Sequence, residues 1–183
     1  MTETQGPRAT LVFGGARSGK SRFAEGLAVK SGLEKIYVAT GAAFDSEMAE
    51  RISQHRLQRG PSWTTVEEPL DLCPVLQAHC RADRVVLVDC LTLWLSNLLF
   101  SEKDPATETA RLCEAVLALS GPCIFVSNEV GMGIVPENRL SRSFRDAQGR
   151  LNQDMARVCR QVVFVAAGLP LVMKPQDQPE IDL

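Results

Sequence analysis

Thr10-Leu11-Val12-Phe13-Gly14-Gly15-Ala16-Arg17-Ser18-Gly19-Lys20-Ser21 is the stretch on which the reading of this chain turns. Its first four residues are the β-branched and bulky apolar types of a buried strand. Its last eight fit G-x-x-x-x-G-K-[ST] at every fixed position, and each fixed position has a physical task. Gly14 and Gly19 let the backbone curl so that successive N–H groups converge on one anion. Lys20 carries a mobile ammonium to the outer phosphates, and the Ser21 hydroxyl is a ligand for Mg²⁺. A bare glycine-rich turn with an exposed lysine is the competing reading. The flanks argue against it, because Phe23, Ala24, Leu27 and Ala28 give the following segment a helical apolar face whose positive end points at the loop.

Outward from this loop, apolar strand-like runs alternate with helical ones. Residues 35–40 read as a second strand ending at Gly41, and Asp45 caps a helix to about residue 59, stopped by Gly60-Pro61. A short strand at 64–67 and a helix at 69–80 follow. The clearest buried strand is 84–89, followed by a helix at 91–99. A helix at 106–119, a strand at 123–127, a glycine-containing loop at 128–136 and a long helix at 137–159 come next. The last has Leu140, Phe144, Ala147, Leu151, Met155 and Val158 along one stripe. Residues 162–166 and 169–173 read as an antiparallel edge hairpin around Ala167-Gly168. The expected architecture is an α/β P-loop nucleotide-binding fold, a mostly parallel sheet with helices on both faces. Residues 9–174 form one domain, with a flexible leader at 1–8 and a disordered tail at 175–183.

Bulk properties set limits on partners. Of 183 residues, 45% are hydrophobic and 23% charged, and the net charge is −2. That balance gives no reason to expect a nucleic-acid surface, and no apolar run is long enough to span a bilayer. The six cysteines form no C-x-x-C pair, which suits reduced, buried thiols in a cytoplasmic protein.

Ligands in open parallel sheets sit at the carboxyl ends of the strands, which aligns the glycine loop, Thr40-Gly41, Asp89 and Asn128-Glu129 along one rim. Asp89 ends its strand where a Mg²⁺-holding carboxylate belongs, a reading favoured over that of a cap for the next helix. Glu129 is a second metal carboxylate, a base or a structural residue. The chain has two histidines. His55 lies between Arg51 and Arg59 at four-residue steps, a cationic stripe with an imidazole in its middle. On spacing alone a solvated helix face is the preferred reading. If the helix leans over the glycine loop, the stripe becomes a polyphosphate clamp in which His55 attacks phosphorus.

GGARSGKSRFAE, EMAERISQHR, VDCLTLWLSNLL and, above all, NEVGMGIVPENRLSRSFRDAQGRLNQ resemble the bifunctional adenosylcobinamide kinase/adenosylcobinamide-phosphate guanylyltransferase family of cobalamin biosynthesis. The resemblance spans nearly the whole chain, and the block from 128 to 153 is its most specific part. It implies phosphorylation of adenosylcobinamide by ATP or GTP. It then implies transfer of GMP from GTP, through a GMP–histidine intermediate, to adenosylcobinamide phosphate. Carried onto this sequence, the histidine is His55. The nucleotide contacts are Gly14, Gly15, Ala16, Arg17, Ser18, Gly19, Lys20, Ser21, Ala39, Thr40, Gly41, Arg56, Leu57, Gln58, Arg59, Glu67 and Asp89. The resemblance also implies a homotrimer. A kinase without the transferase half is the first alternative. A GTP-dependent switch is the second, weakened by the lack of an N-K-x-D guanine-reading motif.

Overall fold

The computed structural model of the protein describes residues 8–41 and 62–176. The helix expected over 45–59, with Arg51, His55, Arg56, Leu57, Gln58 and Arg59, lies outside the described residues, as do residues 1–7 and 177–183. The apolar runs become β1 (Ala9–Gly14), β2 (Glu34–Ala39), β3 (Trp63–Glu67), β4 (Arg84–Asp89), β5 (Cys123–Asn128), β6 (Gln161–Ala166) and β7 (Leu169–Lys174). They join one sheet in the order β3-β2-β4-β5-β1-β6-β7. Every pairing is parallel except β6 with β7, the expected hairpin at the edge.

The central strands are apolar on both faces because both faces are covered. On one side Val12, Tyr37, Leu87, Val126 and Val165 pack against Ala24 and Ala28 of α1 (Lys20–Lys30). On the other side Leu11, Val38, Val88 and Phe125 meet four helices: α2 (Leu72–His79), α3 (Leu91–Phe100), α4 (Pro105–Leu117) and α5 (Arg139–Val158). The most apolar of these, α3, inserts Trp94, Leu95 and Leu98 fully into this layer. Trp94 keeps its indole N–H satisfied by donating to the Leu70 carbonyl at 2.8 Å.

Three helix starts differ from the sequence expectation, each for a local reason. The α2 helix begins at Leu72 rather than 69, because the Glu68 carboxylate accepts the N–H groups of Leu70 and Asp71 at 2.9 and 2.8 Å and holds a turn there. The α4 helix begins at Pro105, where Asp104 accepts the Thr107 N–H at 2.9 Å. The α5 helix begins at Arg139, because Asn138 accepts the Ser141 N–H at 2.7 Å. Leu140 departs from the apolar stripe expected of it: it is 72% exposed, and packing on the core starts only at Phe144.

Candidate active site

At the carboxyl end of β1 the chain turns through residues 14–19 into α1. A Cβ on Gly14 would lie 2.2 Å from the Val165 carbonyl oxygen, so no side chain fits between β1 and β6 there. Gly19, at φ +93°, holds a left-handed conformation at the helix start. From outside, the turn of the β6–β7 hairpin braces the loop: Gly168 donates its N–H to the Ser18 carbonyl at 2.8 Å. Ala167 and Gly168, at φ +51° and +78°, form the kind of tight hairpin turn that permits this approach.

Lys20 is 8% exposed and donates from Nζ to the Gly15 carbonyl at 3.0 Å, so its ammonium lies curled inside the loop. Burial holds its pKa below the ordinary lysine value, while Cys90 and Asp89 push it back up. The Cys90 thiol is itself pushed up to about 11, chiefly by burial, and is neutral near pH 7. The electrostatic pull on the Lys20 ammonium is therefore assigned to Asp89 rather than to Cys90.

Register decides which rim residues share this face. Asp89 pairs with Ala39 and with Val126, and Ala39 pairs with Glu67. Ala39 and Val126 pack in the layer beneath α1. Residues in register across a parallel sheet project to the same side, so Glu67 and Asp89 stand on the α1 side with the glycine loop. Asn128, in register with Gly14, stands there too. The N-cap residue of α3 is Cys90, so Asp89 stands one position before the cap.

Thr40 sits differently. It is fully buried on the opposite face. Its hydroxyl accepts from the Cys90 N–H and donates to the Cys90 carbonyl, both at 2.7 Å. Asn97 of α3 donates to the Thr40 carbonyl at 2.7 Å and to that of Pro69 at 3.0 Å. These bonds lock the end of β2 to the corner that presents Asp89. Glu129 turns its carboxylate onto the N–H of Gly131, within its own loop, and donates its backbone N–H to the Gly14 carbonyl at 3.0 Å.

Sequence reasoning missed the polar cluster beneath this rim. Ser127 donates to the Asn152 side-chain oxygen at 2.6 Å, and Gln148 donates to both Ser127 Oγ and Asn152 Oδ1 at 2.9 and 3.0 Å. Asn152 then donates to the Asn128 carbonyl at 3.0 Å, while Thr92 Oγ1 accepts the Asn128 N–H at 2.8 Å. The available signal was an amide pair at i, i+4 inside the otherwise apolar stripe of α5.

Among the described residues, no three or more His, Cys, Asp or Glu side chains gather as a ready metal cage. A Ser21 hydroxyl and one carboxylate at Asp89 are instead the sparse oxygen donors that suit Mg²⁺ shared with phosphates and water. No helix among the described residues is long and apolar enough to cross a membrane.

Solved structures similar to this chain include an isolated ATPase domain, with a TM-score of 0.50, 13% identity, and coverage of 86% of this chain and 69% of that one. Another is a prototypical ATPase from a type III secretion system, with a TM-score of 0.53, 10% identity, and coverage of 90% and 56%. Likeness at such identity concerns the fold alone. The sequence is far more specific. The family model described as cobinamide kinase / cobinamide phosphate guanyltransferase matches residues 10–173. The bifunctional adenosylcobalamin biosynthesis protein CobP of Pseudomonas aeruginosa is 50% identical over 167 residues, covering 90% of this chain and 96% of that protein. The corresponding CobU of Escherichia coli is 43% identical over 179 residues, covering 90% and 98%. A match that runs from the first strand to the last, over a site of this geometry, means that the chain belongs to the cobinamide kinase / cobinamide phosphate guanyltransferase family.

Proposed function

We propose that the glycine loop grips one triphosphate for two successive reactions, and that His55 carries GMP between them. The observation that supports this most is the buried Lys20 ammonium, curled onto the Gly15 carbonyl and drawn on by Asp89, beside Ser21 at the start of the helix that follows the glycine loop. In the kinase step the aminopropanol hydroxyl of adenosylcobinamide attacks the γ-phosphorus of ATP or GTP, loses its proton, and the nucleoside diphosphate leaves. Lys20 and the loop N–H groups stabilise the charge that builds on the transferring group. In the second step a neutral His55 nitrogen attacks the α-phosphorus of GTP and pyrophosphate leaves, held by the same loop. A phosphate oxygen of adenosylcobinamide phosphate then attacks that phosphorus, breaking the N–P bond and releasing His55.

Ser21 and Asp89 are the residues we assign to holding Mg²⁺, which would supply positive charge to offset that of the phosphates. Gly14 to Ser21 singly, with Ala39, Gly41, Arg56, Leu57, Gln58, Arg59 and Glu67, make up the proposed nucleotide contacts. The Thr40 hydroxyl is committed to Cys90, so the share of Thr40 in the site is to hold the strand end. A homotrimer in the cytoplasm completes the reading.

Incubation with α-labelled GTP and Mg²⁺ tests it. The expected result is protein-bound label that is acid-labile and alkali-stable, and that is absent from His55→Asn. Label retained by that variant would remove His55 from the mechanism, and a wild-type protein that phosphorylates the corrinoid without taking label would leave a kinase alone.

A further inference from the structure

Val130-Gly131-Met132-Gly133-Ile134-Val135-Pro136 contains no charged, amide or hydroxyl side chain. In the fold it lies open: Met132 is 79% exposed, Ile134 97% and Val135 60%, with Leu140 at 72% just beyond. Loops are ordinarily polar, and a contiguous exposed apolar run is a binding surface or a liability.

Its location singles out a ligand. The segment leaves β5, the strand between β1 with its glycine loop and β4 with Asp89. Its base is tied to the loop by the Glu129 N–H on the Gly14 carbonyl at 3.0 Å. Its far end is tied by Arg142, which donates to the Pro136 carbonyl at 3.0 Å and also to that of Glu137. The apolar stretch is thus a span anchored at both ends, rooted at the place where phosphoryl transfer must occur. The acceptor hydroxyl has to reach the terminal phosphorus of a nucleotide held by the glycine loop, so the body that carries it has to rest on this rim. A corrinoid is a large macrocycle with methyl-bearing faces and a fringe of neutral amides. It asks for apolar contact and backbone hydrogen bonds rather than charge, which is the chemistry residues 130–136 offer. Met132, flanked by two glycines, is the most adaptable of these side chains.

We propose that residues 130–140 are the corrinoid-docking element, with Met132, Ile134 and Val135 against one face of the macrocycle and its aminopropanol arm directed over the glycine loop. This rests on the functional reading above. The test is the Met132→Asp/Ile134→Asp double variant. Kinase kinetics are followed with adenosylcobinamide varied at saturating ATP, ATP affinity is titrated separately, and mass is read by light scattering. The expected result is a rise of about tenfold or more in the corrinoid KM, with ATP affinity and oligomeric state unchanged. Met132→Leu, which keeps the apolar contact, should stay close to wild type. An unchanged corrinoid KM overturns the proposal. So does a change of oligomeric state in the double variant, which would assign the surface to a second copy of the chain. Failure of the wild-type protein to phosphorylate adenosylcobinamide at all would sink the functional reading itself and, with it, the docking element.

Discussion

Gly168 and Ser18, far apart in sequence, are joined by a 2.8 Å backbone hydrogen bond that makes the β6–β7 turn a brace for the anion-binding loop. Gly168 holds φ +78°, while a Cβ there would meet nothing within 4 Å, so the cost of a side chain is conformational rather than steric. Gly168→Ala should destabilise the fold by about 1–2 kcal/mol. It should also raise the KM for nucleotide, because the Ser18 peptide loses its support. Gly26→Ala is the matched control: that glycine lies within α1 with open space around its Cβ, so the substitution should stabilise by about 1 kcal/mol. Thermal melts of the two variants should move in opposite directions. A shift of the same sign would remove backbone conformation as the cause.

Asn152 is the hub beneath the rim: it accepts from Ser127 and Gln148 and donates to the Asn128 carbonyl. Asn152→Leu would take away the acceptor of the Ser127 hydroxyl, one of the two acceptors of Gln148 and the side-chain donor to the Asn128 carbonyl, all in a buried layer. A loss of about 3 kcal/mol in urea unfolding is expected. Ser127→Ala, which removes the hydroxyl but leaves the Gln148–Asn152 bond, should cost less, about 1 kcal/mol. Equal losses for the two would mean that Asn152 is not the centre of the network.

Phe13 to Lys20 could be read correctly without a structure because everything that matters there is local: a strand, two glycines at fixed offsets, a lysine and a helix face. The sheet strands 84–89 and 123–127 were legible for a similar reason, since burial on both faces leaves an unbroken apolar run. Long-range partnerships were not legible. Nothing in the sequence around Thr40 says that its hydroxyl closes on Cys90, and nothing around Gly168 points to Ser18. Leu140 shows the reverse failure: it fits the helical period but lies in a first turn that the core does not cover. His55 was singled out from a cationic stripe and a family resemblance, and it lies outside the described residues.

Lys20 and Asp89 interact electrostatically beside the glycine loop, and their removal should have distinct signatures. Lys20→Met relieves the burial of an ammonium, so without nucleotide its melting temperature should equal or exceed that of wild type. It should nevertheless lose the rise in melting temperature that nucleotide gives wild type. Phosphoryl transfer should fall by about 100-fold or more. Asp89→Asn should retain nucleotide binding without Mg²⁺ but lose the added stabilisation that Mg²⁺ supplies. If Asp89→Asn responds to Mg²⁺ like wild type, the carboxylate has another role.

Buried thiols set the alkaline limit of the fold. Burial pushes Cys90 up to about 11 and Cys159 up to about 12, from the ordinary 9.0, and raises Cys123 as well. The unfolded chain releases these protons near 9 while the folded chain still holds them, so between those values the native state binds more protons. Stability is fully present below pH 9 and falls as pH rises through 9 to 11. For Cys90 alone the fall is on the order of 2–3 kcal/mol. Cys90→Ala should flatten the decline measured by urea unfolding from pH 8 to 10.5. It should do so even though removal of the side chain lowers stability at pH 7. At pH 8 in the native state a thiol reagent should reach the half-buried Cys73 and Cys113 first, while Cys80, Cys90, Cys123 and Cys159 wait for unfolding. Rapid native labelling of Cys90 would mean that the corner behind Asp89 opens readily, and the slope assigned to its burial would then be absent.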